Sequence, residues 1–446
     1  MNTKAQQPVQ NKFSPIRITV LSFLALILFG TVLLMLPFST AGANTAGLID
    51  AFFTAVSAVC VTGLIVQDTA TFFSRFGQGV ILILIQLGGL GIMSLYAALP
   101  VIFGAQLRLS QRRMFSAIFE ADNYTSLKQT IRAIVKYTFI IESLGAIILS
   151  LRFYYLLDDL KKAIFYGVFH SVSAFCNAGF ALFSDSLIQF SGDWIINIVI
   201  SSLYILGGLG FVVLFQLIHR RSFKKLSANS KLAVVSTLVL IIVPSIIVFH
   251  FEFNNAFVGR GIGEKTLLTF LQVTSTRTAG FNSIDLNLFS NATLFLFCIL
   301  MFVGASPGGS GGGVKTTTAG LMFLSIRSIF KGQPDIECFG RRVPRDVVTR
   351  SVAIIAIGFS IVTVFIIALM MIEEASFVHV FFEVISAFST VGLSLGLTPE
   401  LTDWGKFLIS IVMFVGRIGT LSLIFLIGAE DKSPSYQFPL GKFMVG

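Results

Sequence analysis

The chain has 446 residues, 55% hydrophobic and only 12% charged, against ~25% charged in a soluble domain. A mean hydropathy of +0.87 points to a polytopic membrane protein and excludes a secreted disulfide scaffold or a disordered chain. The net charge of +10 reads as basic cytoplasmic loops rather than a nucleic-acid surface. Cys60, Cys176, Cys298 and Cys338 show no CxxC spacing, so neither zinc nor a disulfide framework is indicated.

In chain order, an apolar run at 18–38 is long enough to span a bilayer and has no small-residue cleavage site, so no cleavable signal peptide is expected. A short apolar stretch at 48–57 leads into SAVCVTGL at 57–64, and a second long run follows at 77–103. The same order recurs three times. It gives 133–151, 163–173, SAFCNAGF at 173–180 and 194–218; then 232–250, 265–274, TSTRTAGF at 274–281 and a run from 293. Last come 352–372, 377–386, SAFSTVGL at 386–393 and 405–428.

Each eight-residue block has Ser or Thr first, Gly seventh and a bulky apolar residue eighth, so the repeat glycines are Gly63, Gly179, Gly280 and Gly392. A cluster of small residues follows at a nearly fixed offset. Gly88, Gly207, Gly304 and Gly416 lie 25, 28, 24 and 24 residues after the repeat glycines. Close helix packing alone would explain isolated glycines, but not four blocks each with a partner cluster.

The unit is therefore span, short helix, glycine block, span, and the short helix, too short to cross, is re-entrant. Four units predict an all-α polytopic membrane protein with eight full spans and four re-entrant helices. The expected units are 1–104, 105–218, 219–330 and 331–428, with a tail at 429–446. The linkers carry Arg108, Arg112, Arg113, Lys128, Arg132 and Lys136, then Arg220, Arg221, Lys224, Lys225 and Lys231, then Arg327, Lys331, Arg341, Arg342, Arg345 and Arg350. These linkers and both termini are expected to be cytoplasmic, and the glycine blocks open outward. All units then share one orientation, so four blocks can meet on one axis around a central pore.

A short helix followed by a glycine-ended extended segment supplies a row of carbonyls, and four rows can replace the hydration shell of a monovalent cation. Non-helical backbone survives in a membrane only where protein buries it or water lines it. The blocks contain no Asp or Glu, which suits coordination by carbonyls. Arg277, at the fourth position of block three, is expected to point behind the filter and tie down its loop.

Within the third unit, GASPGGSGGGVKTTT at 304–318 interrupts the second span. Five glycines, Gly308, Gly309, Gly311, Gly312 and Gly313, and Pro307 cannot hold a helix. The spacing G-x-x-x-x-G-K-[ST] of a phosphate loop is not met, because Val314 intervenes. The segment reads as a mobile loop that obstructs the pore, the alternative being a tolerated kink; Lys315 would anchor it or hinder cations. Arg417 takes the slot held by Gly89, Gly208 and Ala305 in the other units. It faces the cavity and the loop carbonyls, or is a structural arginine paired behind its helix. His170, His219, His250 and His379 lack ligand spacing. No Ser–His–Asp or HExxH pattern supports the weaker alternative of a membrane transferase.

With these four blocks, the glycine-rich break and Arg417, the whole chain resembles the Trk/Ktr/HKT superfamily of cation transporters, most closely the membrane subunits of Ktr-type potassium uptake systems. The resemblance implies four span–pore helix–span units around one pore, with VTG, NAG, TAG and TVG as reduced relatives of the channel filter TVGYG. By position, the carbonyls of Val61, Thr62, Gly63, Asn177, Ala178, Gly179, Thr278, Ala279, Gly280, Thr390, Val391 and Gly392 would line a potassium filter. Glycine in all four blocks goes with potassium in this family, and serine in the first with sodium. A sodium or mixed sodium/potassium transporter is the runner-up, and sodium dependence of potassium transport stays open. The resemblance also makes the loop at 304–318 the intramembrane gate and places Arg417 in the pore. It implies a plasma-membrane homodimer on a cytoplasmic ring of RCK-type nucleotide-binding regulatory subunits (KtrA-like), with 429–446 a candidate contact. Linkers of about 30 residues are far below a domain, so regulation is expected from a separate subunit. Potassium is substrate, and no covalent cofactor or nucleic-acid partner is expected.

Overall fold

The structure is a computed structural model and describes residues 15–42, 45–91, 124–333 and 335–419. Among these, 14 helices form four units of one plan. Unit one holds α1 (Pro15–Leu34), α2 (Leu48–Cys60) and α3 (Arg75–Gly89); unit two holds α4 (Tyr124–Leu157), α5 (Leu160–Phe175), α6 (Trp194–Gly208) and α7 (Phe211–Arg220). Unit three holds α8 (Ala228–Glu252), α9 (Ile262–Ser275), α10 (Asn291–Phe302) and α11 (Thr316–Phe330). A hairpin, β1 (Glu337–Cys338) with β2 (Arg341–Arg342), leads to unit four: α12 (Arg345–Met370), α13 (Phe377–Phe388) and α14 (Asp403–Ile418). The linker arginines 108, 112 and 113, the run 92–103, residues 420–428 and the tail 429–446 lie outside the described residues.

Among the described residues, α4, α8 and α12 are long and apolar enough to cross a membrane. The inner helices α2, α5, α9 and α13 have 13, 16, 14 and 12 residues. At 1.5 Å per residue they cover roughly 18–24 Å of a ~30 Å core, so they end inside it. Each unit's second span packs on the inner helix of the next: α3 on α5, α6 on α9, α10 on α13, and α14 back on α2. The units thus close into a ring, with the four inner helices at its centre.

The second spans correct two expectations. No second span is one continuous helix in the described residues, and the interruption is not confined to unit three. The α3 helix stops before Gly91 (φ +73°), α6 and α7 meet at 101° around Gly210 (φ +94°), and α14 stops at Gly419 (φ +86°). Leu90 and Leu209 keep these stretches apolar, so hydropathy passes over breaks that a left-handed glycine makes. The breaks fall just beyond the small-residue clusters. A Cβ on Gly88, Gly207 or Gly416 would collide with the backbone carbonyl of Val59, Phe175 or Phe388, at the inner-helix C-termini. In units one, two and four the offset from repeat glycine to cluster glycine is the path length that brings the second span under that carbonyl, while in unit three Gly304 meets the Gly312 carbonyl of the loop.

At the opposite ends the spans are tied by polar side chains. Glu252, last in α8, accepts hydrogen bonds from the N–H and hydroxyl of Ser290, the N-cap of α10 (3.2 and 2.6 Å). Glu373, after α12, does the same for Thr402, the N-cap of α14 (3.0 and 2.6 Å). Unit two makes the tie with an ion pair, Arg152 Nε to Asp193 Oδ2 at 2.7 Å, and Asp193 caps α6. These acids satisfy helix N–H groups that have no intrahelical partner. Cys338 is buried in the hairpin, which raises its thiol pKa.

Candidate functional site: a ring of four glycine turns over a sealed loop

Each inner helix ends in the same local conformation. Val61, Asn177, Thr278 and Thr390 have φ of 56°, 58°, 66° and 51°, and two residues later Gly63, Gly179, Gly280 and Gly392 have φ of 87°, 71°, 77° and 92°. Only glycine takes the second of these positive angles without strain from a Cβ. The first residue reverses the helix, and the glycine turns the chain back outward.

The four turns touch in cyclic order. A Cβ on Gly63 would strike the Ala178 carbonyl oxygen, and one on Gly179 would lie 3.0 Å from the Ala279 oxygen. A Cβ on Gly280 would strike the Val391 oxygen, and one on Gly392 the Thr62 oxygen, which closes the circle. All twelve residues expected at the filter therefore come together. The inner helices point their C-terminal, partly negative ends at this ring.

Behind the ring, hydroxyls hold the turns. Ser57 Oγ accepts from Gly63 N and Ser386 Oγ from Gly392 N, both at 3.1 Å, while Ser173 Oγ donates to the Phe180 carbonyl at 2.7 Å. In block three the brace is the second residue: Ser275 Oγ donates to the Phe281 carbonyl at 2.5 Å, and Thr274 is engaged by Tyr204 Oη. Arg277 points away from the axis, donating to Thr237 Oγ1 of α8 at 3.2 Å.

Directly beneath the ring lies the glycine-rich loop. Its neck is closed by Gly304 N to the Val314 carbonyl (2.9 Å) and Val314 N to the Phe302 carbonyl (3.2 Å). Its glycines are spaced to the ring's side chains. A Cβ on Gly311 would lie 2.7 Å from Thr278 Cβ, and one on Gly312 2.7 Å from Thr390 Oγ1. Gly312 N donates to Thr390 Oγ1 at 2.8 Å, and Ser310 Oγ donates to Asn177 Oδ1 at 2.8 Å. Gly308 and Gly313 take positive φ (70° and 68°), and Gly309 packs against the Gly208 carbonyl. Ser310 is a contact residue that sequence reasoning passed over; its signal was being the one non-glycine within 308–313.

The loop also completes the broken spans. Ser306 N and Ser310 N donate to the carbonyls of Gly208 (2.9 Å) and Gly207 (3.3 Å) at the end of α6, and Phe211 N returns a bond to the Gly308 carbonyl (3.0 Å). Arg417 donates to the Ser310 carbonyl through Nη1 and to the Gly88 carbonyl at the end of α3 through Nη2. Lys315 Nζ donates to the Gly311 carbonyl at 2.7 Å. Two cations thus lie on the loop below the ring. Next to it, the intramembrane Glu142 of α4 accepts from Gln86 Nε2 of α3 at 3.1 Å. Among the described residues there is no cluster of His, Cys, Asp or Glu suited to a metal ion.

Residues 2–436 match the TrkH family, described as a cation transport protein. The chain belongs to that family. The relatives of this TrkH-family chain include the Ktr system potassium uptake protein B of Bacillus subtilis, 37% identical over 98% of this chain and 97% of the relative. The potassium/sodium uptake protein NtpJ of Enterococcus hirae is 35% identical over the whole of both chains. Among solved structures, the potassium transporter TrkH from Vibrio parahaemolyticus superposes with a TM-score of 0.69 at 19% identity, over 95% of this chain and 87% of that one, a likeness of fold. The chain is a membrane transporter and not an enzyme.

Thr390→Val keeps the side-chain volume but removes the acceptor for Gly312 N–H. Stranding a buried donor costs ~1–3 kcal/mol, so hydrogen exchange of the loop amides should quicken by about ten-fold or more. Unchanged exchange there, with the global unfolding midpoint intact, would mean that the loop is not held by this bond.

Proposed function

We propose that this chain takes up potassium across the plasma membrane through the central pore, with the ring of carbonyls from 61–63, 177–179, 278–280 and 390–392 as its selectivity filter. The observation that carries this reading is the closed circle of four identical glycine turns. Backbone oxygens arranged this way, with four helix C-termini aimed at them, offer a bare monovalent cation an electronegative site without a fixed carboxylate. Relatives named for potassium uptake support the substrate. The name of the NtpJ relative supports sodium or mixed transport as the second reading, and sodium dependence of potassium flux belongs with it.

The loop at 304–318 acts as the gate. In the sealed position its Gly308, Gly309, Gly311, Gly312 and Gly313 lie against the filter side chains and span ends, and Lys315 and Arg417 put positive charge on the cation path. Opening exchanges the Arg417 bonds to Ser310 and Gly88 for water. The Ktr system naming of the relatives supports a partner subunit. We assign that role to a cytoplasmic RCK-type nucleotide-binding ring (KtrA-like) under a homodimer of this chain, with the linkers and both termini on the cytoplasmic side. The unit boundaries at 104/105, 218/219, 330/331 and 428/429 belong to the same reading.

In proteoliposomes, tracer rubidium flux should be displaced by potassium and rubidium far better than by sodium. Gly63→Ser should lower that preference about ten-fold, the effect of ~1.4 kcal/mol at a site, since its Cβ meets the Ala178 oxygen at a positive φ. Sodium competing as well as potassium in the parent protein would promote the second reading. A ratio unmoved by serine at all four glycines would remove the filter assignment.

Deleting 308–313, or replacing Arg417 with Gln, should raise flux. Loss of a charged hydrogen bond is worth ~1.5–3 kcal/mol, about ten-fold or more in the closed-to-open ratio. The double change should add little, because both release one latch. Abolished flux in well-folded protein, or full additivity, would make the loop a structural kink.

Orientation is tested by labelling. Burial of Cys338 makes the native thiol a poor reporter on either side, so exposed positions serve better. An impermeant maleimide outside sealed cells should modify Asn287→Cys and spare Gln333→Cys. The reverse pattern would invert the topology.

A further inference from the structure

The linker face of units two and three carries two cavities that the transport reading does not use. One, of about 480 Å³, is bordered by Arg220, Lys224, Lys225, Lys231 and Arg341, with no Asp or Glu in its wall. Arg220 donates to the Lys225 carbonyl at 2.5 Å, which holds the guanidinium over the cavity. None of these five cations forms an ion pair among the described residues. Five like charges around one concavity repel one another, and an anion entering it relieves that repulsion.

The second cavity, of about 570 Å³, is an apolar groove between α8 and α11, bordered by Leu232, Val235, Val239, Gly320, Phe323 and Leu324. Val239 is 52% and Phe323 67% exposed, so the groove opens on the lipid-facing side. Arg327 and Glu337 stand at its linker end. The two cavities meet at Phe339, which borders both. Phe339 sits in the two-residue turn of the β1–β2 hairpin at φ +50°, before Gly340 at φ +73°. A bulky aromatic residue is uncommon at such an angle. The turn sets its ring at the seam, packed against Phe223 at 6.2 Å. Along α8, Lys231 faces the basic cavity, and the groove begins at the next residue. From Leu232 to Val239 the helix rises roughly 10 Å into the bilayer.

From this juxtaposition we infer a binding site for one anionic phospholipid of the linker-side leaflet, its phosphate among the five cations and an acyl chain in the α8–α11 groove. A free phosphate compound would satisfy the cations but leave the groove empty. A zwitterionic lipid would fill the groove but bring its own cation to the basic pocket. The α11 helix starts at Thr316, whose hydroxyl contacts Ser306 Oγ of the loop at 2.8 Å, so the bound chain lies along the helix that carries the loop. The site rests on the proposed orientation only for which leaflet supplies the lipid, and the binding test below does not depend on it.

The test uses the full-length protein in a neutral detergent, with thermal unfolding followed during titration by phosphatidylglycerol, by phosphatidylcholine of the same chains, and by glycerol 3-phosphate. Phosphatidylglycerol should raise the midpoint saturably, and the other two should not. Lys224→Gln/Lys225→Gln/Lys231→Gln should raise the half-saturating concentration by at least about ten-fold. Val239→Trp, which fills the groove and leaves every charge in place, should weaken binding as well. The control Lys331→Gln/Arg345→Gln/Arg350→Gln removes the same charge from the same face and should leave binding unchanged. An equal response to glycerol 3-phosphate would make the cavity a phosphate site without a lipid, and an equal response to phosphatidylcholine would leave only a greasy groove. An equal loss in the control variant would reduce the effect to diffuse surface charge. Each of these three results overturns the assignment.

Discussion

Every non-helical stretch of backbone in the membrane core has to find its hydrogen-bond partners in the protein or in water that the protein admits, and this constraint organises the centre of the molecule. To bring the span ends and the loop beneath the ring of glycine turns, the second spans stop being helices, and each stop exposes carbonyls that would otherwise bond within the helix. The exposed groups are matched to one another. The end of α6 is completed by the loop, the end of α3 by Arg417, and the loop by Arg417, Lys315 and the side chains of the ring. The ring of glycine turns, the loop and the breaks are one network, so a change in any one is felt by the others.

The same network explains why glycine is concentrated there. At Gly63 and its three counterparts the need is a positive φ beside a neighbouring carbonyl. At Gly311 and Gly312 the need is proximity: the loop backbone lies so close to Thr278 and Thr390 that no side chain fits. At Gly88, Gly207 and Gly416 the second span passes against the end of an inner helix. Three different steric demands thus produce what reads in the sequence as one compositional bias.

Much of this was legible beforehand. The repeat glycines and their companion clusters identified the units and the residues that meet at the ring, because a φ that only glycine adopts leaves a mark no other residue can substitute. The loop was legible for the same reason. The break in unit two and the ends of α3 and α14 were not, since Leu90 and Leu209 keep the hydropathy high past α3 and α6 and one glycine in an apolar run has many uses. Nor could spacing distinguish Ser275 from Thr274 as the brace in block three, because a one-residue difference in where α9 ends decides it. The ties made by Glu252 and Glu373 depend on which distant N-cap each acid meets. Their partners lie 38 and 29 residues away in the sequence.

The loop occurs in one unit of four, and the ring it packs against lies on a shared axis. Four subunits of identical sequence could not hold such a loop, because four copies would compete for the same volume beneath the ring and three would be left with unpaired backbone. Joining the four units in one chain removes that conflict. One quarter is free to carry the loop, a second to carry Arg417, and the others to keep the small residues that leave room for both. The fourfold frame therefore contains a part that obeys no symmetry, and covalent linkage of the repeats is what lets such a part exist.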